Sequence, residues 1–118
     1  MEKKQAREME TFMQYGFAAA DEAMKNAGLT MDENGEYPIP RARIGVVFGT
    51  VFAGIANVAD SQDKLSTGRA SRINPRFITK IIGNIGAAQI AIAKKLQGPS
   101  LTVSTACSSG IDAITTVM

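Results

Sequence analysis

The sequence predicts an α/β fold in which helices alternate with the strands of a parallel or mixed sheet. Two apolar, β-branched runs, residues 43–49 and 101–105, have the length and composition of buried strands. Segments of helical periodicity precede and separate them, so that the strands are joined by right-handed crossovers. The single cysteine, Cys107, directly follows the second strand, at the sheet edge where α/β proteins place their chemistry.

The first predicted helix covers residues 2–27, where small and apolar residues recur at intervals of three and four. We expect Gly28 to end this helix in a left-handed conformation, with Leu29 folding back on the last turn. Residues 31–40 contain Asn-Gly and two prolines and are predicted to form a loop.

The run 43–49 is predicted to be a parallel strand in the middle of the sheet, buried on both faces. The connector that follows, residues 50–72, is glycine-spaced at first and polar later. We expect it to contain a short helical turn and an exposed loop.

The second long helix is predicted to start at Asn74-Pro75, because asparagine caps helices and proline suits the first helical position. Its apolar positions leave little polar face, so we expect a crossover helix buried nearly all round up to Leu96. Gly98-Pro99 then ends the element.

Cys107 lies at the predicted bend between the strand 101–105 and the next helix. A helix N-terminus offers unpaired N–H groups and the positive end of the dipole, which favour a thiolate and can stabilise an oxyanion. The flanking residues, 106 and 108–110, are small and leave room for a substrate. The sequence therefore predicts a nucleophilic cysteine. The alternative is an inert cysteine packed as a small apolar residue.

The run Thr-Ala-Cys-Ser-Ser-Gly at 105–110, preceded by Gly98-Pro99-Ser100, closely resembles the active-site signature of the β-ketoacyl-[acyl-carrier-protein] synthases. These are condensing enzymes with the thiolase fold. Further stretches are similar to the same family, namely 9–16, 45–50, 74–77 and 84–85. The resemblance implies that residues 1–118 are a fragment of the N-terminal, thiolase-like domain and cover well under half of a complete synthase.

The resemblance implies a decarboxylative Claisen condensation in fatty-acid or polyketide elongation. Cys107 would accept the acyl chain, and the carbanion from malonyl-carrier protein would then attack the thioester. The family uses two histidines for the decarboxylation, and this chain contains none. We therefore expect the fragment alone to be inactive in that half of the reaction. No cofactor is expected, because phosphopantetheine arrives on the carrier protein, and no metal site is expected either.

Residues of an acyl pocket are implied by position within the same family. Phe52 falls where elongating synthases place a residue that limits acyl-chain length, and Ile55, Phe77, Ile78 and Ala106 match other positions that line the pocket. Many members have a smaller aliphatic residue at the first of these positions. The phenylalanine therefore predicts a preference for short acyl chains, although an ordinary core role for Phe52 is the alternative.

Surface residues that dock the acidic acyl carrier protein are implied in the same way at Lys4, Arg7 and Arg72. Each of them is equally an ordinary solvated charge. Family members are homodimers in which the strand before the cysteine, here 101–105, pairs across the two-fold axis. We therefore expect a homodimer.

Composition excludes several other classes of protein. A net charge of +2 and the absence of tryptophan argue against a nucleic-acid partner. No apolar run has the roughly 18 residues that a membrane span needs, and the N-terminus lacks a signal-peptide core. A lone cysteine and the absence of Asn-x-Ser/Thr acceptors fit the reducing cytoplasm.

Two alternatives to a synthase remain open: a thiolase, and a non-catalytic subunit or carrier-protein-binding module of the same family.

The glycine spacing of residues 49–54 resembles that of a phosphate loop. The lysine and hydroxyl residues that follow in a phosphate loop are absent here, so we reject a nucleotide site. Asp112, one turn beyond Cys107, is interpreted as a structural contact with the helix dipole.

Overall fold

The computed structural model describes residues 9–118 and has the predicted α/β class. The helices are α1 (Thr11–Asn26), α2 (Ile55–Ser66), α3 (Ile78–Ile81), α4 (Ile85–Ala93) and α5 (Ser109–Val117), and the strands are β1 (Val46–Gly49) and β2 (Ser100–Val103). Short 3-10 turns occupy Arg41–Arg43, Ala70–Arg72 and Ala106–Ser108. None of the helices in this part of the chain is long and apolar enough to cross a bilayer.

The two strands pair in parallel, as predicted, with Val46 opposite Ser100 and Gly49 opposite Val103. The pairing continues beyond β1, where the Thr50 N–H donates to the Val103 carbonyl at 3.1 Å. Both strands therefore end at the same edge of the sheet. The prediction that β1 lies mid-sheet and is buried on both faces is wrong for residues 9–118, because the sheet there has two strands and β1 is half-buried throughout.

Phe48 of β1 organises the packing between the sheet and two helices. A Cβ on Gly16 of α1 would lie 2.3 Å from the Phe48 ring, and a Cβ on Gly86 of α4 would lie 3.1 Å from it. The absence of a side chain at both positions therefore makes room for the ring. Phe12 meets the same ring edge-on at a centroid distance of 6.0 Å. The neighbouring Gly49 faces the other side of the sheet, where α5 packs.

The end of α1 confirms the predicted cap. Gly28 has φ +69, its N–H donates to the Lys25 carbonyl, and the Leu29 N–H donates to the Met24 carbonyl at 2.8 Å. This is the Schellman arrangement that glycine allows. The regular helix begins at Thr11, and residues 2–8 of the predicted helix lie outside the described part of the chain.

The connector after β1 carries a longer helix than the predicted short turn. Helix α2 is 12 residues long, and its N-terminus receives the Glu10 carboxylate, which accepts from the Asn57 N–H at 2.9 Å. A negative charge there satisfies an unpaired N–H and complements the helix dipole. Because this cap comes from 47 residues earlier in the sequence, local periodicity did not reveal it.

The predicted continuous helix over 75–96 is divided in two. The prediction that Asn74 caps the helix is wrong, because its side chain accepts from the Arg76 N–H at 2.8 Å in a turn, and the regular helix starts only at Ile78, with Phe77 as its N-cap residue. Ile82 is extended, at φ −66 and ψ 143, and separates α3 from α4. Gly83, with its low helix propensity, follows directly after this break.

The expected burial of this helix on nearly all sides is also wrong for the described chain. Ile78 is 58% exposed and Ile92 is 71% exposed, whereas Ile85 and Ile90 are buried. Helix α4 is covered where it meets the sheet and α1. Helix α4 also ends earlier than predicted, because Lys95 adopts φ +55 before Gly98 is reached.

Gly54 generates the first prediction, because its backbone lies directly on α3. A Cβ at this position would stand 2.0 Å from the Lys80 carbonyl oxygen and 2.8 Å from the Ile81 Cα. Both are backbone atoms and cannot rotate away. We expect Gly54→Ala to lower the free energy of unfolding by about 2 kcal/mol or more, measured by urea denaturation.

Gly83→Ala is the matched control, since nothing lies within 4 Å of its added Cβ. It should leave stability unchanged or raise it slightly, by about 0.5 kcal/mol. Equal stability for the two variants would show that Gly54 is not in tight contact with α3.

Candidate active site

Cys107 sits in the Ala106–Ser108 turn, between the end of β2 and the start of α5. Its thiol is exposed. The predicted sequence of strand, bend and helix is therefore confirmed, and the alternative of a cysteine packed in the core is wrong for the described chain. Ser108 is the N-cap residue of α5, so Cys107 directly precedes the cap of this helix, whose first N–H groups have no partner within it.

The turn bends sharply because Ala106 adopts a left-handed backbone conformation, with φ +51. This conformation costs roughly 1–2 kcal/mol for a residue with a Cβ. Other contacts in the turn must offset that cost, and they come from the side chains of neighbouring hydroxyl residues.

Ser109 makes the first of these contacts from inside the fold, where it is 4% exposed. Its Oγ donates to the Ala106 carbonyl at 2.7 Å and accepts from the Thr105 N–H at 2.9 Å. One hydroxyl thus satisfies a donor and an acceptor on either side of the strained peptide. Hydrogen bonds of this kind contribute about 0.5–1.5 kcal/mol each, which matches the cost of the backbone conformation.

Asp112 makes the second set of contacts from the first turns of α5. Its Oδ2 accepts a hydrogen bond from the Thr105 hydroxyl and lies 3.0 Å from the Ser108 Oγ. The Ser108 Oγ also lies 2.7 Å from the Thr105 carbonyl. The interpretation of Asp112 as structural holds, but its partners are the hydroxyls on both sides of Cys107 as well as the helix end.

The roles of Thr105 and Ser109, and the bonds of Asp112 to the hydroxyls beside Cys107, were not predicted from the sequence. The available signal was the spacing, because Thr105, Ser108 and Asp112 stand three and four residues apart and so meet on one side of a helical turn. Hydroxyl and carboxylate side chains at such positions commonly bond to one another or to the local backbone.

The end of β1 supports the turn from below. A Cβ on Gly49 would lie 2.4 Å from the Ser109 carbonyl oxygen and 2.9 Å from the Gly110 nitrogen. The backbone of the strand therefore touches the first turn of α5, which only glycine permits at this distance. The ends of both strands and the start of α5 therefore meet next to the turn that contains Cys107.

The predicted pocket residues lie on separate segments. Phe52 is in the turn after β1, Ile55 starts α2, Phe77 and Ile78 stand at the start of α3, and Ala106 adjoins Cys107. Gly54, between the first two, lies against the backbone of α3. The residues remain open to solvent in residues 9–118, as shown by Phe52, which is 73% exposed, and by Ile55, which is 55% exposed.

The predicted docking residues are described only in part. Arg72 is exposed at the end of the Ala70–Arg72 turn, where its N–H donates to the Arg69 carbonyl at 2.9 Å. Lys4 and Arg7 lie outside the described residues.

The family model for "Beta-ketoacyl synthase, N-terminal domain" matches residues 1–118. The chain belongs to the β-ketoacyl synthase family. A 3-oxoacyl-[acyl-carrier-protein] synthase 2 from Vibrio cholerae is 34% identical over 94% of the chain. Enzymes of the same name from Rhizobium meliloti and Staphylococcus aureus are 35% and 32% identical, each over 97% of it. The chain spans only 26–27% of the length of these relatives.

The fold agrees with this membership. A crystal structure of a β-ketoacyl synthase from Burkholderia phymatum superimposes with a TM-score of 0.77. The match covers 98% of this chain and 27% of that one, at 23% sequence identity. The helices, the parallel strand pair and the Ala106–Ser108 turn are therefore part of a thiolase-like fold.

The buried hydroxyl of Ser109 leads to the second prediction. Ser109→Ala removes both bonds that this hydroxyl makes around Ala106 and leaves buried polar groups without partners. We expect a loss of about 1–3 kcal/mol in the free energy of unfolding, measured by urea denaturation.

The control is Thr115→Ala on the same helix, where an exposed hydroxyl donates only to the Ile111 carbonyl one turn earlier. Its effect should stay within about 0.5 kcal/mol. If Ser109→Ala is no more destabilising than this control, the Ser109 hydroxyl does not hold the turn.

Proposed function

We propose that this chain supplies the acyl-accepting nucleophile of a β-ketoacyl-[acyl-carrier-protein] synthase that acts in fatty-acid or polyketide elongation. The observation that carries the proposal is the exposed Cys107 thiol, held in a strained turn at the start of α5. The reaction of the whole enzyme is a decarboxylative Claisen condensation, and Cys107 performs its first half.

In that half, the Cys107 thiolate attacks the carbonyl carbon of an acyl thioester on the phosphopantetheine arm of the carrier protein. A bond forms between Sγ and the acyl carbon, and the bond from that carbon to the phosphopantetheine sulfur breaks. The departing thiolate takes up a proton. The new thioester on Cys107 stays reactive toward a carbon nucleophile.

The first turn of α5 supports this step. Its leading N–H groups have no partner within the helix, and Cys107 directly precedes the N-cap residue, Ser108. The same N–H groups would stabilise negative charge that develops on the thioester oxygen.

The second half of the reaction needs groups outside this chain. Decarboxylation of the malonyl unit places negative charge on an enolate oxygen, which requires hydrogen-bond donors of the kind that histidines supply in the family. The chain contains no histidine. We assign it the acylation step only, with no resident cofactor.

The partners proposed here are an acyl carrier protein and a second copy of the synthase. Lys4, Arg7 and the exposed Arg72 would contact the acidic carrier protein, and salt would screen this attraction.

Strand β2 pairs with β1 on one side, and Leu101 is 49% exposed. In the described chain its other edge is open, which suits pairing across a dimer axis. The cytoplasm is the proposed location.

Transfer of an acyl group to Cys107 is the third prediction. On incubation with an acyl-carrier protein or a short acyl thioester, the intact mass should rise by one acyl group. Peptide mapping should place the group on Cys107, and hydroxylamine should remove it, because the bond is a thioester. Cys107→Ser should show no such thioester, and it is a close steric match for the native residue.

Two outcomes contradict the proposal. Failure of the folded protein to accept an acyl group would leave a carrier-protein-binding module as the better assignment. Acylation of Cys107→Ser that peptide mapping places away from position 107 would show that another residue is the nucleophile. Circular dichroism of both proteins establishes that each is folded.

We also propose that Phe52 limits the length of the acyl chain. The large ring is exposed on the turn after β1, at the sheet edge where β2 leads into the Cys107 turn. Ala53 beside it has φ +43, so the turn is fixed in an uncommon conformation. An acyl chain that lies across this edge would contact the Phe52 ring and would bury it from solvent.

Shortening this side chain is the fourth prediction. In the whole synthase, Phe52→Ala should raise the rate of acylation by palmitoyl thioester relative to butyryl thioester by about tenfold, because it removes an obstacle of ring size. Rates are measured by mass spectrometry with both thioesters in competition. Val51→Ala in the same turn should leave the ratio unchanged. An unaltered ratio in Phe52→Ala would assign Phe52 to ordinary packing.

A further inference from the structure

The carboxylate of Asp112 connects both sides of the Cys107 turn to α5. The Thr105 hydroxyl donates to its Oδ2, and the Ser108 Oγ lies 3.0 Å from the same oxygen. Thr105 stands two residues before the thiol, and Ser108 stands one residue after it. One oxygen atom therefore fixes the backbone on both sides of Cys107.

We propose that Asp112 is a positioning residue for the acylation of Cys107. It acts through Thr105 and Ser108, and it holds the turn in the shape that presents Sγ to the thioester carbonyl. The inference rests on the proposed function, since it concerns the same thiol.

The hydrogen-bond geometry identifies the link to Thr105 as the stronger one. The Ser108 hydroxyl has one proton, and the Thr105 carbonyl at 2.7 Å competes for it with Asp112 at 3.0 Å. The Thr105 hydroxyl has two acceptors within reach, the neutral Ser108 Oγ at 3.1 Å and the Asp112 carboxylate, to which it donates. A hydrogen bond to a charged acceptor is stronger than one between neutral groups.

Asp112 has a task that Ser109 does not perform. Ser109 holds backbone groups of Thr105 and Ala106 from the buried side of the turn. Asp112 holds side chains on the exposed side, where the thiol and an arriving substrate meet. Loss of Asp112 should therefore loosen the reactive face of the turn, while the buried contact keeps the chain folded.

The charge of Asp112 and its hydrogen bonds are expected to have opposite effects on the reactivity of the Cys107 thiol. A carboxylate near the start of α5 opposes formation of a second negative charge on Cys107. If charge alone mattered, removal of Asp112 would make the thiol more reactive. If position matters, removal would slow the acyl transfer, which requires Sγ to approach the carbonyl carbon in one direction.

The experiment compares Asp112→Ala, Asp112→Asn and Thr105→Val with the unaltered protein. Asparagine keeps an acceptor oxygen for Thr105 and Ser108 but has no charge. Valine matches the shape of threonine and removes its donor. Thr115→Val is the control, because the Thr115 hydroxyl bonds only to its own helix.

Two rates are measured at the single cysteine: acylation by a butyryl thioester and alkylation by iodoacetamide, a small neutral reagent with few geometric demands. We expect Asp112→Ala and Thr105→Val to lower the maximal acylation rate at least tenfold, with little change in the half-saturating thioester concentration. Alkylation should be as fast as in the unaltered protein or faster. Asp112→Asn should retain acylation within threefold.

The double variant Thr105→Val/Asp112→Ala should be no slower than either single variant, because both single changes remove the same hydrogen bond. Equal acylation rates in Asp112→Ala and the unaltered protein would overturn the inference. So would an equal loss in Asp112→Asn and Asp112→Ala, because Asp112→Asn keeps the acceptor oxygen and its loss would then not come from the hydrogen bonds. If the unaltered protein is alkylated but never acylated, the proposed function itself fails, and the two failures are thereby distinguished.

Discussion

Close backbone contact at the ends of the parallel strands is the constraint on which the rest of this structure depends. Added Cβ atoms at Gly45 and Gly98 would lie 2.6 Å from the carbonyl oxygens of Pro99 and Ile44, at the start of the pair. At its far end, Gly49 touches the backbone of Ser109. Because these three residues have no side chain, the two strands and α5 approach closely. Their contact fixes the position of the Cys107 turn relative to the sheet.

The turn itself combines strain with local compensation. Ala106 holds an unfavourable backbone angle, while the buried Ser109 hydroxyl and the exposed Asp112 carboxylate bond to groups on either side of it. Rigid presentation of a nucleophile is an expected reason to retain such strain, because attack on a carbonyl carbon needs a defined direction of approach. The fold and the proposed acyl transfer thus meet in the five residues from Thr105 to Ser109.

Features that depend on neighbouring residues were predictable from the sequence. Gly28 ends α1 as expected, and the β-branched runs pair in parallel with Cys107 at the following bend. The break at Ile82 and the full length of α2 were not predictable in this way. Both depend on partners distant in sequence, namely the contact of Gly54 with α3 and the Glu10 carboxylate at Asn57.

The sequence by itself determined the class of fold and the position of a lone thiol between a strand and a helix, because residue spacing and local backbone preference encode these. It indicated the family through the resemblance of the motif around Cys107 to the synthase signature. Tertiary structure alone decided which apolar faces are covered, that Gly49 supports the start of α5, and that the thiol is exposed. It also decided that one Asp112 oxygen serves hydroxyls on both sides of the cysteine. The physical reason is that burial and hydrogen-bond pairing are properties of groups brought together in space, and spacing along the chain only restricts which groups can meet.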